Sequence, residues 1–292
     1  MGLFDGYEHI VRQNELLAPF TWFRLGGPAE YFAEPTSVEE LGTLVARANE
    51  AGLPIGVIGG GSNLLIRDTR VKGLVLHLAA PAFCQIDVQG NVVTAGGGAK
   101  LGHVISATVG EGLSGLEELV GIPGSVGGAL RSNADAGGAD IGKWTRSATV
   151  MKQTGEIVVH DRDALRFSYR SSSLDELVIL NAELELETGD SAEITKRLQK
   201  LWIIKKANEP QGTYNAGCIF KDVGGVSAAS LIENAGLRSS GVGKAVVCDE
   251  NANFIIAEPG ATFDDVCGLI ELLKSGVEDR LGVELETSID IW

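Results

Sequence analysis

Three consecutive glycines between two apolar segments set the strongest limit on how this chain folds. Gly59, Gly60 and Gly61 follow "PIGVI" and precede "SNLLI". Both flanking segments have the length and composition of buried strands, so the glycine run joins one strand to another. Glycine gives up more backbone freedom on folding than other residues. Such a run therefore indicates a tight turn or a backbone that lies against a ligand.

Two nucleotide-binding motifs are disfavoured by the residues on the C-terminal side of these glycines. The dinucleotide fingerprint of Rossmann folds and the phosphate loop of P-loop NTPases both lead from a strand directly into a helix. Here the glycines lead into the strand segment "NLLIRD", without the Gly-Lys-Ser/Thr sequence of a phosphate loop. A phosphate at this position would instead be held by backbone N–H groups in a nest arrangement.

A second glycine-rich segment bears on the choice between turn and ligand site. "GIPGSVGGALRSNADAGG" occupies residues 121–138 and carries hydroxyl and amide side chains among its glycines. Two such clusters can wrap one extended phosphate-bearing ligand, whereas each cluster alone is typical of a structural turn. Both interpretations stay open at this point.

The remaining patterns predict a mixed α/β chain. "SVEELGTLVARANEAGLP" predicts a helix that begins with a capping box of Ser37 and Glu40. Further helices are predicted at "SAEITKRLQKLWIIKKANEP", "AASLIENAGL" and "TFDDVCGLIELLKSGVEDRLG", the last with a capping box of Thr262 and Asp265. Further strands are predicted at "GLVLHL", "NVVTAGGG", "NAGCIFKD", both ends of "KAVVCDENANFIIAEP", and the alternating "VELETSIDIW".

Charge and composition narrow the classes of partner. Acidic residues outnumber basic ones 39 to 24, which gives a net charge of −15. We therefore expect no nucleic-acid partner, and an anionic ligand would need a locally positive pocket. No apolar run reaches the roughly 20 residues that span a bilayer, so we expect no membrane partner. The spacing of the four cysteines fits neither a metal site nor a redox pair, which indicates a reduced cytoplasmic protein without a bound metal.

Seven segments occur here in the order in which they occur in the UDP-N-acetylenolpyruvoylglucosamine reductase (MurB) family, flavoproteins of peptidoglycan synthesis. They are "APFTWFRLGGPAEYFAEPTSVEEL", "VIGGGSNLLIRD", "GLEELVGIPGSVGGALRSNA", "FSYRSSSL", "NAGCIFKD", "LIENAGL" and "NANFII". The resemblance extends from about residue 16 to the end of the chain, and the length resembles the shorter subtype of the family. Each motif alone is weak, but the ordered set is specific.

The resemblance implies a mixed α/β fold with an FAD-binding region of the vanillyl-alcohol-oxidase type. This region would form two lobes, residues 1–78 and 79–190, followed by a smaller α+β substrate domain at 191–292. The implied FAD contacts in the first glycine cluster, against the diphosphate, are Gly59, Gly60, Gly61, Ser62 and Asn63. The implied contacts on the other side of the cofactor are Gly121, Ile122, Pro123, Gly124, Ser125, Gly127, Gly128 and Asn133.

The resemblance also implies a reaction in two halves. NADPH, as co-substrate, reduces FAD, and the reduced flavin passes the hydride to the double bond of UDP-N-acetylglucosamine enolpyruvate. Arg170 in "FSYRSSS" matches the arginine that stabilises the enolate. Cys218 in "NAGCIFKD" stands where the family usually has its proton-donating serine. A thiol, with an ordinary pKa of about 8.5, releases a proton far more readily than an alcohol.

The last strand departs from the family pattern Leu-Glu-Pro-Glu-Val-Arg. In "LETSID" the second Glu and the Arg are replaced by Ser288 and Asp290. Glu286 lies two residues earlier on the same strand face, so Glu286 or Ser288 is expected to assist catalysis. An Asp in place of the Arg would repel a nucleotide diphosphate.

Three residues stay as candidates for binding the nucleotide-sugar substrate: Lys221, Arg238 and Tyr214. Asp222, where the family has Asn, adds a further negative group near Lys221. These departures keep two alternatives open. One is a MurB-like flavoprotein oxidoreductase with a neutral or cationic substrate, and the other is a flavin-binding protein that has lost catalysis.

Overall fold

The computed structural model describes residues 2–210 and 214–292, which form two compact units. The first unit contains the residues up to Glu15, then Ala29–Gly60 and Lys72–Ile204. The second contains Leu16–Pro28, Gly61–Val71 and the described part of Lys205–Trp292. These units are drawn differently from the expected regions 1–78, 79–190 and 191–292, which stay a prediction about domains.

The described strands are numbered in chain order. They are β1 (Val11–Leu16), β2 (Pro28–Ala33), β3 (Ile55–Ile58), β4 (Leu64–Leu65), β5 (Val71–His77), β6 (Ile86–Gln89), β7 (Val92–Gly96), β8 (Leu113–Ser114), β9 (Asp135–Ala136), β10 (Ala139–Asp140), β11 (Thr145–Met151), β12 (Ile157–Asp161), β13 (Phe167–Ser168), β14 (Ser171–Ser172), β15 (Val178–Glu185), β16 (Glu187–Thr188), β17 (Gly241–Val242), β18 (Ala245–Val247), β19 (Ile255–Ala257) and β20 (Asp290–Ile291).

The described helices follow the same convention. The α-helices are α1 (Val38–Glu50), α2 (Pro81–Cys84), α3 (Leu101–Gly110), α4 (Val126–Arg131), α5 (Ser191–Asn208), α6 (Ala228–Asn234) and α7 (Phe263–Leu281). Short 3₁₀ helices occupy Ala18–Phe20, Glu117–Leu119 and Ile141–Trp144. The predicted mixture of helix and sheet is confirmed, and the glycine run does join strand β3 to strand β4.

The first unit is built on two sheets. One has the strand order β1-β2-β5-β3, and the other, fully antiparallel, has the order β12-β11-β15-β7-β6. Helix α1 buries Leu41, Leu44 and Val45 in the same apolar cluster as Leu74 and Leu76 of β5. Helices α3 and α4 bury their apolar residues in a second cluster with β7, β11 and β15.

The capping box at the start of α1 differs in one residue from the prediction. The Ser37 hydroxyl accepts a hydrogen bond from the N–H of Glu40, as expected. The Glu40 carboxylate, however, accepts hydrogen bonds from the N–H and the hydroxyl of Thr36, each at 2.7 Å. The reciprocal half of the cap therefore includes the residue before the N-cap.

The second unit packs α6, α7 and the sheet β17-β18-β19 around one apolar cluster. Helix α7 begins with the predicted capping box, in which Thr262 and Asp265 exchange hydrogen bonds. It ends at Gly282, whose φ of 68° gives the left-handed cap that favours glycine.

Two predicted strands of the second unit are largely absent from the described residues. "NAGCIFKD" makes a single bridge, Phe220 to Thr287, and on its other side the N–H and the carbonyl of Phe220 bond to the side chain of Asn253 instead of to a second strand. In "VELETSIDIW" only Asp290–Ile291 forms a strand, which pairs in parallel with β4. The segment changes partner between residues 288 and 290, so one continuous ladder cannot form. Ile291, one of the apolar residues of the alternating pattern "VELETSIDIW", is 44% exposed.

Candidate active site

The two glycine clusters meet within the first unit. A Cβ added to Gly60 would lie 2.5 Å from the Cα of Gly124, and one added to Gly59 would lie 2.4 Å from the Oγ of Ser125. Both distances are shorter than non-bonded atoms tolerate, so these positions admit only glycine while the bends pack against each other. The prediction attributed the missing side chains to a ligand, whereas contacts inside the protein already require them.

The second unit contains the rest of the first cluster, Gly61, Ser62 and Asn63. Gly61 has a φ of +64°, and an added Cβ would lie 1.9 Å from the carbonyl oxygen of Phe20. The side-chain amide of Asn63 donates to the carbonyl of Ser288 at 3.1 Å. The backbone carbonyl of Asn63 accepts from the N–H of Asp290 at 3.0 Å. Asn63 therefore fixes the last segment of the chain, and its contact with a cofactor stays a prediction.

The backbone donors of the two bends are available to a ligand. Within the described part of the chain, the N–H groups of Gly60 and Gly124 donate no hydrogen bond, and both residues are accessible to solvent. Gly121 and Gly124 have φ values of 78° and 116°, conformations that favour glycine. Backbone donors in such a bend suit the oxygens of a phosphate.

The second bend is held rigidly at the start of α4. The Ser125 hydroxyl accepts from the N–H of Gly128 and caps the helix. The N–H of Val126 donates to the carbonyl of Ala99, and the N–H of Gly127 donates to the carbonyl of Gly97 at 2.8 Å. Gly127 lies so close to the segment that follows β7 that an added Cβ would be 3.1 Å from the Gly97 carbonyl oxygen. Ile122 and Pro123, in the same bend, are half-buried.

Arg170 occupies the tip of the hairpin formed by β13 and β14. Its φ is +52°, a left-handed conformation that costs a residue with a side chain about 1–2 kcal/mol. Its Nε lies 2.8 Å from Oδ1 of Asp135, with which it forms an ion pair. The ring of Tyr169 lies 6.0 Å from the guanidinium carbon. The surrounding contacts thus keep the arginine in an unfavourable backbone conformation.

Asn133 connects this hairpin to helix α4. Its amide nitrogen donates to the carbonyl of Ser168 at 2.9 Å, and its Oδ1 accepts from the N–H of Gly142 at 3.0 Å. The hydroxyl of Ser172 also donates to the carbonyl of Arg131, at 2.9 Å. Both polar ends of Asn133 are therefore used inside the protein. This favours a role in positioning the Arg170 hairpin, and the predicted contact with the cofactor stays a prediction.

Cys218 lies in the second unit between residues with fixed backbones. The N–H of Gly217 donates to the side chain of Asn215 at 2.9 Å, and that of Ile219 donates to the carbonyl of Asn253 at 2.9 Å. The N–H of Ser288 donates to the carbonyl of Ile219 at 2.7 Å. Cys218 itself is half-buried. The motif "NANFII" contributes to the resemblance, but the part that Asn253 plays in holding this segment was not predicted.

Lys221 and Glu286 form an ion pair across the same two segments. Nζ of Lys221 lies 2.5 Å from Oε1 of Glu286, and the backbone N–H of Lys221 donates to the Glu286 carbonyl at 2.9 Å. The glutamate side chain is 71% exposed and the lysine side chain 23%. The structure therefore brings together four predicted residues of the substrate half, Cys218, Lys221, Glu286 and Ser288, on neighbouring segments.

The remaining charged candidates have partners of their own. Oδ1 of Asp222 accepts from the N–H of Ala228 at 2.9 Å, at the positive end of α6. Asp222 therefore accepts from the first N–H of the helix, beside the N-cap residue Ser227, a role that the sequence interpretation missed. Arg238 donates to the carbonyl of Asp249 at 2.5 Å and lies 3.5 Å from Glu233. Tyr214 is exposed, and its backbone carbonyl accepts from Ala257.

The sequence analysis missed a buried carboxylate that precedes the second glycine cluster in the chain. Glu117 is 2% exposed and accepts hydrogen bonds from the N–H of Gly115 and the hydroxyl of Ser114, and it pairs with Arg197 of α5. Burial raises the pKa of Glu117, but these hydrogen bonds outweigh burial and leave the pKa below its ordinary value. Its motif "GLEEL" is part of the resemblance, but no role was predicted for the carboxylate.

Metal-binding clusters and membrane-spanning helices are both absent from the described residues. No group of three or more His, Cys, Asp or Glu side chains in these residues could hold a metal ion. None of the helices in the described ranges is both long and apolar enough to span a membrane.

Comparison with known proteins gives matches along most of the chain. Residues 29–161 match the family "FAD binding domain", and residues 209–292 match "UDP-N-acetylenolpyruvoylglucosamine reductase, C-terminal domain". The UDP-N-acetylenolpyruvoylglucosamine reductase of Rhodopirellula baltica is 37% identical over 284 residues, 97% of this chain and 93% of that protein. That of Latilactobacillus sakei is 38% identical over 283 residues, 96% and 93% respectively. The crystal structure of the reductase (MurB) from Thermus caldophilus gives a TM-score of 0.83 at 33% identity, over 95% of this chain and 97% of that one.

Proposed function

The chain belongs to the UDP-N-acetylenolpyruvoylglucosamine reductase (MurB) family, and from this membership we propose that it reduces UDP-N-acetylglucosamine enolpyruvate to UDP-N-acetylmuramate with NADPH, in the cytoplasm. It is an oxidoreductase with an FAD-binding domain, in the fold that the sequence analysis expected. The observation that carries the proposal is the match of both domains, with 37% identity to a named reductase over 97% of the chain.

The glycine bends fit the diphosphate of FAD. The N–H groups of Gly60 and Gly124 are accessible donors, and no side chain projects from either residue. Backbone donors bind phosphate oxygens without adding positive side chains, which suits a chain that carries a net charge of −15. FAD held at these bends would supply hydride transfer between NADPH and the substrate double bond.

The side chains proposed for the second half of the reaction differ in chemical role. Arg170 provides guanidinium donors that stabilise the negative charge of the enolate. Cys218 donates its Sγ proton to the carbon next to the one that receives the hydride. Glu286 or Ser288 assists that proton transfer, and Lys221, Arg238 and Tyr214 bind the nucleotide sugar. The ion pair with Glu286 reduces the charge that Lys221 presents to a diphosphate.

The test is NADPH oxidation by the FAD-loaded protein, with and without UDP-N-acetylglucosamine enolpyruvate. We expect oxidation that depends on the nucleotide sugar, is retained in Cys218→Ser, and falls by about 100-fold or more in Cys218→Ala. Arg170→Ala should lose activity on a similar scale while it keeps the flavin absorbance. A wild type that binds FAD but does not respond to the nucleotide sugar would overturn the proposal.

Asp290 favours a second candidate, a flavoprotein of the same fold that acts on a neutral or cationic substrate. This residue stands where the resemblance expects an arginine, and it is exposed. The competing substrate class is distinguished by an Asp290→Arg variant. If the nucleotide sugar is the substrate, this variant should lower its KM, because one negative charge is exchanged for a positive one. An unchanged KM together with activity on an uncharged enol ether would favour the second candidate.

A further inference from the structure

We propose that Asp135 is a positioning residue for Arg170, an inference that rests on the proposed catalytic role of the arginine. Oδ1 of Asp135 lies 2.8 Å from Nε of Arg170. The two side chains are 26% and 29% exposed, so the pair is largely shielded from water. The contact is an ion pair, and the Coulomb attraction of such a pair is stronger in a shielded site than in open water.

The geometry leaves the other edge of the guanidinium available. Arginine carries five N–H donors in a rigid plane, one on Nε and four on the two Nη atoms. Asp135 forms its ion pair at the Nε edge, and among the described residues Arg170 makes no Nη hydrogen bond. A carboxylate at Nε thus fixes the plane of the fork and leaves the Nη donors for an oxyanion.

The backbone that carries Asp135 is held in a two-stranded pairing. Asp135 lies on β9, which pairs with β10 through Asp135 to Asp140 and Ala136 to Ala139. Two residues earlier, Asn133 binds the carbonyl of Ser168 in the Arg170 hairpin. The hairpin of β9 and β10 is therefore tied to the hairpin that carries the arginine by a neutral hydrogen bond and an ion pair. Movement of one would require movement of the other.

The ion pair has two opposite effects on an anionic substrate. It orients the Nη donors, which raises the rate of the step in which the enolate charge develops. It also offsets the positive charge of Arg170, which weakens binding of the substrate in its ground state. Loss of the carboxylate should therefore lower kcat while KM for the nucleotide sugar is unchanged or lower, a split that a general loss of structure does not give.

The kinetic test uses Asp135→Asn in the FAD-loaded enzyme, alone and combined with Arg170→Ala. We expect kcat to fall by about 10- to 100-fold, with unchanged flavin content and thermal midpoint. In the Arg170→Ala background the same change should have no further effect on kcat. Asp175→Asn, which removes an exposed carboxylate close to the same hairpin in sequence, is the matched control and should leave kcat unchanged. Wild-type kcat in Asp135→Asn, or equal losses in both backgrounds, would overturn the proposal.

A second measurement separates this proposal from the proposed function. Exchange of the Arg170 Nε–H proton with solvent can be followed through its ¹⁵N resonance. The exchange should be slow in the wild type and in Asp175→Asn, and faster in Asp135→Ala. This readout needs no turnover, so it decides whether Asp135 orients Arg170 even if the protein ignores the nucleotide sugar. Equal exchange in the wild type and Asp135→Ala would refute the positioning role.

Discussion

The candidate residues of the first unit and those of the second unit are held in different ways. In the first unit, the glycine bends and the Arg170 hairpin are fixed by close backbone packing, left-handed residues and buried hydrogen bonds. In the second unit, Lys221 and Glu286 form an accessible ion pair on segments with little regular strand. The candidate residues of the first unit therefore tolerate few substitutions, whereas the candidate charges of the second unit can change with little loss of stability.

The largest expected effect is at the contact between the glycine bends. Gly60→Ala places a Cβ 2.5 Å from the Cα of Gly124. The clash is with the backbone of Gly124, which cannot move aside by a change of rotamer as a side chain can. We expect a loss of about 3 kcal/mol in the free energy of unfolding, together with loss of bound FAD, measured by urea denaturation and flavin absorbance. Gly102→Ala on α3, where no atom lies within 4 Å, is the control. It should be neutral or stabilising by up to about 1 kcal/mol, and equal effects of the two changes would contradict the packing argument.

A smaller effect is expected at the buried Glu117. Glu117→Gln should lower the free energy of unfolding by about 2 kcal/mol near neutral pH, because it removes the charged acceptor of three hydrogen bonds. The folded-state pKa is lowered, so the contribution is fully present above the ordinary glutamate pKa of about 4.3 and is lost as pH falls through the folded-state value. The stability gap between wild type and variant should therefore narrow in acid. Glu156→Gln at an exposed ion pair should show no such gap at any pH.

At Arg170, whose backbone is strained, a glycine is expected to be stabilising relative to an alanine, in contrast to the losses expected above. Arg170→Gly should be more stable than Arg170→Ala by about 0.5–1 kcal/mol, because only glycine adopts a φ of +52° without strain. Both variants remove the guanidinium, so both should lose activity to the same extent. At Ser171, in strand β14 and without a positive φ, alanine should instead be the more stable replacement. Thermal denaturation of the four variants checks the order.

The smallest effect is expected in the second unit. A double-mutant cycle on Lys221→Ala and Glu286→Ala should give a coupling free energy below about 1 kcal/mol, since the glutamate is mostly exposed and salt screens the pair. When the KM ratio for the nucleotide sugar is expressed as a free energy, the same variants should change it by more than they change the free energy of unfolding. A coupling of about 2 kcal/mol or more would mean that the candidate residues of the two units are held alike.

Local patterns allowed part of the fold to be predicted, whereas helix α3 and strands β11, β12 and β15 were not predicted. The helix α7 and its capping box follow from residues within one turn, and the strand after the glycine run follows from its apolar residues. The strand predicted around Cys218 was largely wrong. The side chain of Asn253, 33 residues after Phe220, forms hydrogen bonds with both the N–H and the carbonyl of that phenylalanine, where a neighbouring strand would otherwise bond. The residues around Cys218 carry no sequence pattern that indicates a bond to a side chain so far along the chain.

The candidate site was predictable only in part. The resemblance located Arg170 and Cys218, but the pairing of Asp135 with Arg170 depends on two hairpins that meet in space. The bond of Asp222 to the start of α6 had a local signal, since the acid precedes the "SAASLIEN" helix by a few residues, but the charge was attributed to the substrate side. The steric need for Gly59 and Gly60 became visible only with their neighbours in the second cluster.

The pairing of β4 with β20 has a consequence for how the chain is made. Asn63 and Leu65 bond to Asp290 and Trp292, and the amide of Asn63 reaches a carbonyl 225 residues away. At ribosomal rates of about 5–20 residues per second, β4 waits roughly 10–45 s for its partner to be synthesised. During that interval an apolar strand edge stays open to other nascent chains. Chaperone demand and low-temperature expression yield should therefore depend on residues 63–66 more than on any catalytic side chain.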